Sequence, residues 1–212
     1  MEFTRFLHYT PKIAKVTLPG DDAHLIMAPP ERKALMQKID LSQANSKKAA
    51  VMMLVYPKDD IACLALIQRN SYKGVHSSQI ALPGGKVEHY DESDLQAAIR
   101  ETEEEIGIPR NDINFVCAFT EVYIPPSNFF VAPFLGFCDY TPAFIPDPRE
   151  VAAMIEFPLA ELLAENTQIL KNMATSYSES IDVPSFKIGE HAVWGATAMM
   201  LSELKEVLKS VQ

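Results

Sequence analysis

The residues whose types and spacing are best suited to metal binding or catalysis lie near the middle of the chain, in a run that is rich in glutamate. On a helix, Glu101, Glu104 and Glu105 would fall within one arc about 100° wide. Like charges at this spacing repel each other, at a cost of about a few tenths of a kcal/mol per pair. Carboxylate oxygens are the ligands that Mg2+ prefers, and a cation among them would offset the repulsion. The spacing therefore favours a metal site on one face of a helix over the solvated acidic surface that most charge runs form.

The element that must position these carboxylates is a helix bounded by glycines. Before it come Pro83, Gly84 and Gly85, and a glycine pair is suited to a tight turn that brings the backbone close to a ligand. After it comes Gly107, where a helix C-terminus favours glycine. A second arc of the same helix is predicted to pack against the rest of the protein. It carries Leu95, Ile99, Thr102 and Ile106.

This segment resembles the Nudix box, G-x5-E-x7-R-E-U-x-E-E-x-G-U, where U is a bulky apolar residue. The matching residues are Arg100, Glu101, Glu104, Glu105, Gly107 and Ile108. The sequence departs from the pattern at Thr102, which takes an apolar position, and in the spacing from Gly85 to the arginine, which is one residue longer. The longer spacing, with acids at Glu88 and Asp91, resembles the coenzyme A pyrophosphatase branch, whose box begins GG-x-x-D-x-x-D.

The resemblance implies an α/β Nudix fold, in which a mixed β-sheet is sandwiched between helices and the box forms a loop–helix–loop. It also implies hydrolysis of the pyrophosphate bond of a nucleoside diphosphate derivative, with Mg2+ or Mn2+ bound by the three glutamates and by the Gly85 carbonyl. Arg100 would orient the glutamates. The general base stays open between Glu105 and a carboxylate outside the box, such as Glu121 or Glu150.

The segment before the box resembles a second signature of the coenzyme A pyrophosphatases, roughly L-L-T-x-R-[SA]-x3-R-x3-G-x3-F-P-G-G. Arg69 and the PGG motif keep its register, whereas Gly74, Ser78 and Leu82 replace its second arginine, its glycine and its phenylalanine. The implied substrate is coenzyme A, cleaved to 4′-phosphopantetheine and adenosine 3′,5′-bisphosphate. The replacements keep ADP-ribose or another dinucleotide as the alternative substrate.

Charge is distributed unevenly along a chain whose net charge is −9. Residues 1–86 hold 12 Lys and Arg against 7 Asp and Glu, whereas residues 87–212 hold 7 against 21. An acidic protein would repel a polyphosphate unless a metal ion and local cations intervene, so the basic part is expected to supply those cations. The predicted substrate-binding residues are Arg69, Lys73, Gly84, Gly85 and Lys86.

The composition argues against several other functions. No extended basic stripe is present, so nucleic acid is not expected as a partner. No apolar run approaches the roughly 18 residues that a membrane span needs, and the N-terminus lacks a signal-peptide core, which predicts a cytoplasmic protein without a membrane partner. Cys63, Cys117 and Cys138 are odd in number and lie in separate apolar runs, so they are interpreted as core residues. The oligomeric state stays open between a monomer and a homodimer.

A non-catalytic, ligand-sensing Nudix domain is the alternative outside the enzymes. Transcriptional regulators of that kind carry an added basic DNA-binding module, whereas here only one helix is predicted after Gly189 and the box glutamates are intact. The enzyme is therefore the preferred interpretation.

The chain is predicted to comprise an N-terminal extension, residues 1–48, packed on a Nudix hydrolase domain, residues 49–212. The extension is expected to hold a short amphipathic helix before Pro11 and then a proline-punctuated connection with a scaffold histidine, His24. Strands are predicted at 49–56, 61–68, 113–121, within 125–137 and at 151–157, helices at 159–164 and 196–209, and a loop or hairpin at 166–180.

Three aromatic residues could serve packing or binding. Phe129 and Phe130 are predicted to pack in the core, with base stacking as the alternative. Trp194 is predicted to anchor the core or the entry into the last helix.

Overall fold

Strand β1 (Lys47–Lys58) lies at the centre of the fold. Met53 and Val55 point into one core layer, and Met52 and Leu54 into another on the opposite face. Because successive side chains of a strand alternate between faces, this burial shows that both faces of the sheet are covered. The structure is a computed structural model that describes residues 1–32, 46–70, 79–175 and 180–212.

Within the described residues, eight strands form one mixed sheet around β1. β1 pairs in parallel with β7 (Phe129–Phe137) and antiparallel with β2 (Ile61–Arg69). The other members are β3 (Ile80–Ala81) and β8 (Val151–Pro158), which pair with β2, β4 (Gly84–Lys86), which pairs with β1, and β5 (Asn114–Ala118) and β6 (Val122–Ile124), which pair with β7. The sheet order is β3-β2-β1-β7-β5.

Helices cover the two faces of this sheet. Helix α3 (Asp94–Ile106) packs on one face, where Ala97, Ala98 and Ile106 are buried. The opposite face carries α1 (Phe3–Ile13), α2 (Asp21–Met27), α4 (Leu159–Leu163) and α5 (Gly195–Ser210). The predicted α/β architecture, a mixed sheet between helices, is confirmed. No helix in the described ranges combines the length and apolarity that a membrane crossing requires.

A second, three-stranded sheet follows α4. It consists of β9 (Gln168–Met173), β10 (Ile181–Ile188) and β11 (His191–Trp194). β9 and β10 pair antiparallel, so residues 166–180 supply the first strand of a hairpin whose second strand, β10, begins beyond the predicted range. Neither β10 nor β11 was predicted. The predicted strands at 49–56, 61–68 and 151–157 and the predicted helices at 159–164 and 196–209 are confirmed within a few residues.

The N-terminal segment differs from the prediction in two places. Helix α1 continues through Pro11 to Ile13. Proline has no N–H to donate to the Leu7 carbonyl, and the Thr10 hydroxyl donates a hydrogen bond to that carbonyl at 2.9 Å instead. The expected connection around residues 21–27 is helix α2, which has two acidic residues in its first turn. Phe3 donates its backbone N–H to the Asp60 carbonyl at 2.8 Å. The division of the chain at residue 48 remains a prediction.

A buried polar network joins α2 to α5. Glu203 is 0% exposed, and its carboxylate accepts hydrogen bonds from the backbone N–H groups of Gly20 and Thr120, at 3.0 and 3.1 Å, and from the Thr120 hydroxyl at 2.6 Å. The ring Nε2 of His24 lies 3.2 Å from the same carboxylate. Burial would raise the pKa of Glu203, but the hydrogen bonds from His24 and Thr120 outweigh it and lower the pKa. The interpretation of His24 as a scaffold residue is confirmed.

Candidate active site

Helix α3, which carries the glutamates, has both ends fixed by local contacts. At its start, Ser93 Oγ accepts a hydrogen bond from the Gln96 backbone N–H at 3.2 Å. At its end, Gly107 adopts a left-handed conformation with φ 75°, and its N–H donates to the Glu103 carbonyl. A Cβ at Gly107 would lie 2.8 Å from Cβ of Ile145. The helix end predicted from sequence is therefore confirmed, and glycine is required there.

The predicted packing face of α3 is buried against the sheet. Ile99, Thr102 and Ile106 are at most 7% exposed, and Leu95 is half-buried. The Thr102 hydroxyl donates to the Ala98 carbonyl at 2.7 Å, so its polar group is satisfied within the helix. Threonine is therefore compatible with a position that the box pattern fills with an apolar residue.

Glu105 is a deeply buried carboxylate at the centre of the site. It is 2% exposed, and its Oε2 accepts a hydrogen bond from the Gly84 backbone N–H at 2.8 Å. Its Oε1 is buried without a hydrogen-bond partner, and the nearest cationic group, Arg69 Nη2, lies 3.5 Å away. Burial raises the pKa of Glu105 to about 7, although Arg69 and the Gly84 N–H act in the opposite direction.

The glycine pair allows the backbone to approach these carboxylates closely. Gly84 has φ 149°, and a Cβ there would lie 2.3 Å from the carbonyl oxygen of Ala50. At Gly85, a Cβ would lie 2.5 Å from the Glu101 carboxylate. The pair lies in strand β4 and pairs with β1, so the expected tight turn is wrong. The expected close approach of the backbone to a ligand stays a prediction, although at Gly85 the Glu101 carboxylate lies where a side chain would be.

Arg100 connects the helix to the loop before it. Its Nη1 donates to Glu101 Oε1 at 2.8 Å and to Glu104 Oε2 at 3.1 Å. Its Nη2 donates to the Lys86 carbonyl at 3.1 Å, and its Nε donates to Asp91 Oδ1 at 2.9 Å. Arg100 is 6% exposed. Its hydrogen bonds to the Lys86 carbonyl and to the carboxylates of Asp91, Glu101 and Glu104 hold the planar guanidinium in one orientation. These are the contacts that a residue orienting the glutamates needs.

Asp91 is a site residue to which sequence reasoning assigned no role. Its two carboxylate oxygens accept hydrogen bonds from Nε and Nη2 of Arg100, both at 2.9 Å, and Oδ2 also accepts from the Glu88 backbone N–H at 2.8 Å. The hydrogen bond from Arg100 lowers the pKa of Asp91. The signal was the extra acidic position in the longer box. That position is now explained as the anchor of the arginine.

The predicted substrate-binding cations already have acidic neighbours. Arg69 Nη2 lies 3.5 Å from Glu105 and 3.9 Å from Glu150, and Lys86 Nζ donates to Glu88 at 2.9 Å. Lys73 lies outside the described residues. The position of Arg69 brings Glu150 towards the box. The other carboxylate considered as a base, Glu121, is exposed next to β6.

A cleft with a volume of about 290 Å3 opens beside the glycine pair. Arg69, Gly84, Gly85 and Lys86 line it. The other described lining residues are mostly apolar and come from several elements: Pro29, Arg32, Ala49, Val51, Gln79, Ala81, Leu82, Ile124, Pro126, Ser127, Phe129, Val131, Thr175, Trp194, Gly195, Ala196, Thr197 and Met200. The carboxylate helix and the cleft thus share the β4 backbone.

Residues 46–177 match the family model of the NUDIX domain. This chain belongs to the NUDIX domain family. The family comprises hydrolases that act on nucleoside diphosphate derivatives, and its members generally need divalent metal ions. The resemblance of residues 84–108 to the Nudix box had predicted this membership.

Relatives extend the similarity beyond the family model. The chain is 33% identical over 161 residues to Nudix hydrolase 22, chloroplastic, of Arabidopsis thaliana, over 73% of this chain and 53% of that protein. It is 26% identical over 162 residues to the uncharacterized Nudix hydrolase NudL of Photorhabdus laumondii, over 76% and 85%. The chain thus spans about half the length of the Arabidopsis relative. The crystal structure of RenU, a Nudix hydrolase from M. smegmatis, shares the fold with a TM-score of 0.54 and 18% identity, over 79% of this chain and 88% of that one.

The carboxylates of the NUDIX site fit a divalent cation by their chemistry but not by their present arrangement. In the part of the chain that the structure describes, no three His, Cys, Asp or Glu side chains converge closely enough to hold a metal ion together. Nη1 of Arg100 lies between Glu101 and Glu104 and binds both. The donors nevertheless suit a hard cation, because all are carboxylate oxygens and Glu105 Oε1 lacks a hydrogen-bond partner. Burial raises the pKa of Glu101 as well, so a cation would stabilise the ionised forms.

Three cleft residues were assigned to other roles or missed by sequence reasoning. Phe129 lines the cleft while also packing against the core, so its predicted packing is confirmed and base stacking stays a prediction. Trp194 precedes the first residue of α5, as predicted for a helix-entry anchor, but it also lines the cleft. Met200 was not singled out. Phe130 packs against Tyr123 instead, with ring centroids 4.9 Å apart.

Proposed function

We propose that this NUDIX protein is a metal-dependent pyrophosphatase that cleaves the diphosphate of a nucleoside diphosphate derivative. The observation that carries the proposal is the buried carboxylate of Glu105. One of its oxygens is held by the Gly84 N–H and the other has no hydrogen-bond partner, at the backbone that lines the cleft. Such a group is costly for a fold unless a ligand completes it.

The proposed metal ligands are Glu101, Glu104 and Glu105, with the carbonyl of Gly85. When bound, Mg2+ or Mn2+ would supply positive charge to the phosphates and lower the pKa of a water molecule. Arg100 would keep the glutamates in place, anchored in turn by Asp91. The diphosphate would be bound by groups that line the cleft: the backbone of Gly84 and Gly85 and the cationic side chains of Arg69 and Lys86.

Among the candidates for the general base outside the box, Glu150 is favoured over Glu121. Arg69 pairs with both Glu150 and Glu105, and the negative charge of Glu150 raises the pKa of Glu105. Its backbone carbonyl also accepts from the Asn70 N–H at 2.9 Å, which ties it to the end of β2. A carboxylate placed there can take the proton of a water molecule that attacks the diphosphate.

Coenzyme A is the proposed substrate, with 4′-phosphopantetheine and adenosine 3′,5′-bisphosphate as products. The support is the register of Arg69 and the PGG motif, together with the mainly apolar cleft beside the diphosphate site. ADP-ribose is the rival substrate because the upstream loop departs from the coenzyme A signature. The cytoplasmic location and the homodimer remain predictions.

A substrate panel tests this function. The purified protein is incubated with coenzyme A, dephospho-coenzyme A or ADP-ribose in the presence of Mg2+ or Mn2+, and the products are identified by mass. We expect 4′-phosphopantetheine from coenzyme A, and no products when a chelator is added. Faster turnover of ADP-ribose than of both coenzyme A forms would overturn the coenzyme A assignment. Tight binding without any turnover would favour the sensor alternative.

A further inference from the structure

A short turn, residues 147–151, lies between the carboxylate helix α3 and the end of strand β2. Its first residue, Asp147, donates its backbone N–H to the Glu105 carbonyl at 3.0 Å, in the last turn of α3. The Asp147 carbonyl in turn accepts the backbone N–H groups of Glu150 and Val151, at 3.1 and 2.8 Å. The 147–151 turn is therefore hydrogen-bonded to the same residue that supplies the deeply buried carboxylate.

The local sequence favours this turn. Oδ1 of Asp147 accepts a hydrogen bond from the backbone N–H of Arg149, two residues on, at 2.9 Å, which is the pattern of an Asx-turn. Pro148 lies between them, and an aspartate followed by a proline favours the start of a turn. The Arg149 side chain donates to both carboxylate oxygens of Asp147 at 3.0 Å and lowers the pKa of Asp147 to about 2. The acceptor that closes the turn thus stays ionised near neutral pH.

Asn70 fixes the other side of the turn. Its backbone N–H donates to the Glu150 carbonyl at 2.9 Å, and its side-chain Nδ2 donates to the Pro148 carbonyl at 2.7 Å. At the neighbouring Arg69, the pairing of β2 with β8 shifts register, because β8 has an extra residue there. Such bulges re-aim side chains next to functional sites. Movement of Glu150 relative to the end of β2 would therefore break several hydrogen bonds.

We infer that Asp147 and Asn70 are positioning residues, which hold the carboxylate of Glu150 where it takes a proton from the attacking water. The inference rests on the proposed function, in which Glu150 is the favoured base outside the box, and deepens it. In that step the water oxygen forms a bond to one phosphorus, the bond from this phosphorus to the bridging oxygen breaks, and the water proton moves to Glu150.

Glu150 needs such support because its own side chain is poorly enclosed. The side chain is 53% exposed, and its Oε2 lies 3.9 Å from Nη2 of Arg69. A general base must lie within hydrogen-bond reach of the water that it deprotonates. A displacement of about 1 Å can cost about 100-fold in rate. The two bonded sides of the turn restrict the backbone of Glu150 and thereby the space that its carboxylate explores.

Double-mutant cycles with Glu150→Gln test the inference. We would measure kcat and KM for the compound that the substrate panel finds to be turned over fastest, with Asp147→Ala and Asn70→Ala each alone and combined with Glu150→Gln. Each alanine variant alone should lower kcat about tenfold and leave KM within about twofold, since neither residue is proposed to contact the substrate. In the Glu150→Gln background, the same changes should have no further effect on kcat.

Two further variants separate the turn from the charge. Asp147→Asn keeps a side-chain oxygen that accepts from the Arg149 N–H, so it should retain most of kcat. Arg149→Gln removes a side chain that is 85% exposed but keeps that N–H, and is the matched control with wild-type kinetics. Amide hydrogen exchange of the metal-free protein gives a readout without turnover. The N–H groups of Glu150 and Val151 should exchange faster in Asp147→Ala and at the wild-type rate in Asp147→Asn.

The outcomes separate this inference from the proposed function. If the alanine variants lower kcat by the same factor in both backgrounds, they act independently of Glu150, so the inference is wrong and the function stands. Wild-type kcat in Glu150→Gln, or unchanged amide exchange in Asp147→Ala, would also overturn the inference alone. If the wild-type protein cleaves no diphosphate in the panel, the proposed function fails and the inference fails with it.

Discussion

Two glutamates, Glu105 and Glu203, are almost completely buried, at 2% and 0% exposure, but their surroundings differ. Glu203 receives hydrogen bonds on both oxygens from Gly20, His24 and Thr120, and its pKa is lowered in spite of burial. Glu105 has one hydrogen bond, one oxygen without any, and a pKa raised to about 7 by burial.

The difference shows that burial alone does not mark a functional carboxylate. The fold supplies Glu203 with partners for its charge, so this residue can serve as a fixed link between α2 and α5. Oε1 of Glu105 has an ion pair with Arg69 at 3.5 Å but no hydrogen bond, and two other carboxylates, Glu101 and Glu150, raise the pKa of Glu105 further. A buried carboxylate oxygen without a hydrogen bond, close to a cleft, is typical of a site that binds a cation from solution.

The largest expected effect is on catalysis. Glu105→Gln should lower kcat at saturating Mg2+ by at least about 100-fold. Loss of a residue that only hydrogen-bonds to a metal ligand already lowers activity by up to about 100-fold, and Glu105 is proposed as a ligand itself. The fold should persist, since a neutral amide at this position avoids the cost of burying a charge. Steady-state kinetics and circular dichroism check both statements. Glu103→Gln, on the same helix but half-buried and paired with Arg110 outside the cleft lining, is the matched control. Wild-type turnover in the Glu105 variant would remove it from the site.

Glu203→Gln should have the opposite profile. The amide keeps one acceptor oxygen but turns an NH2 group towards donors, so hydrogen bonds to the buried carboxylate are lost. We expect unfolding to become easier by about 3 kcal/mol, with kcat per folded molecule unchanged. Urea denaturation and active-site kinetics on the same sample measure the two quantities. A loss of kcat without loss of stability would mean that the two glutamates are not separate in function.

Stability should depend on pH in opposite directions at the two residues. The folded-state pKa of Glu105 lies above the usual 4.5, so the metal-free protein should lose stability as pH rises from 4.5 through about 7, by about 3 kcal/mol in total. Glu203, whose pKa is lowered, contributes stability above its usual pKa that is lost as pH falls through the folded-state value. Urea midpoints of the wild type and of Glu105→Gln between pH 5 and 8 isolate the first effect by their difference. Parallel curves would contradict it.

The smallest expected effect concerns Arg69. Arg69→Gln should raise KM for coenzyme A about tenfold and lower kcat less, because a phosphate contact binds ground and transition states alike. Arg69 also lowers the pKa of Glu105, so its loss should move the onset of Mn2+ binding to higher pH. Calorimetric titrations with Mn2+ at several pH values test this second arm. Lys58→Gln, whose lysine pairs with Glu156, is the control. An unchanged KM would place Arg69 outside substrate binding.

Elements with a complete local pattern could be predicted from the sequence. The β1–β2 hairpin carries apolar runs around a short turn, and α3 has a capping serine, an apolar arc and a terminal glycine. The elements that were missed, or left open between a loop and a hairpin, lack such patterns. Helix α2 has only seven residues, and in β9 the apolar Leu170 is 71% exposed. Contacts with distant parts of the chain decide both, as when β9 pairs with β10 or Glu203 holds the start of α2.

The sequence by itself determined the family, the helix that carries the carboxylates and the identity of its glutamates. These follow from residue types at fixed spacings along a single element, where helical geometry alone sets which side chains are neighbours. Only the tertiary structure decided which glutamate is buried, that Asp91 anchors Arg100, and that Trp194 and Met200 share a cleft with Gly84. Each of these depends on segments far apart in the chain that meet in the packed fold. Their desolvation and distances are properties of that packing.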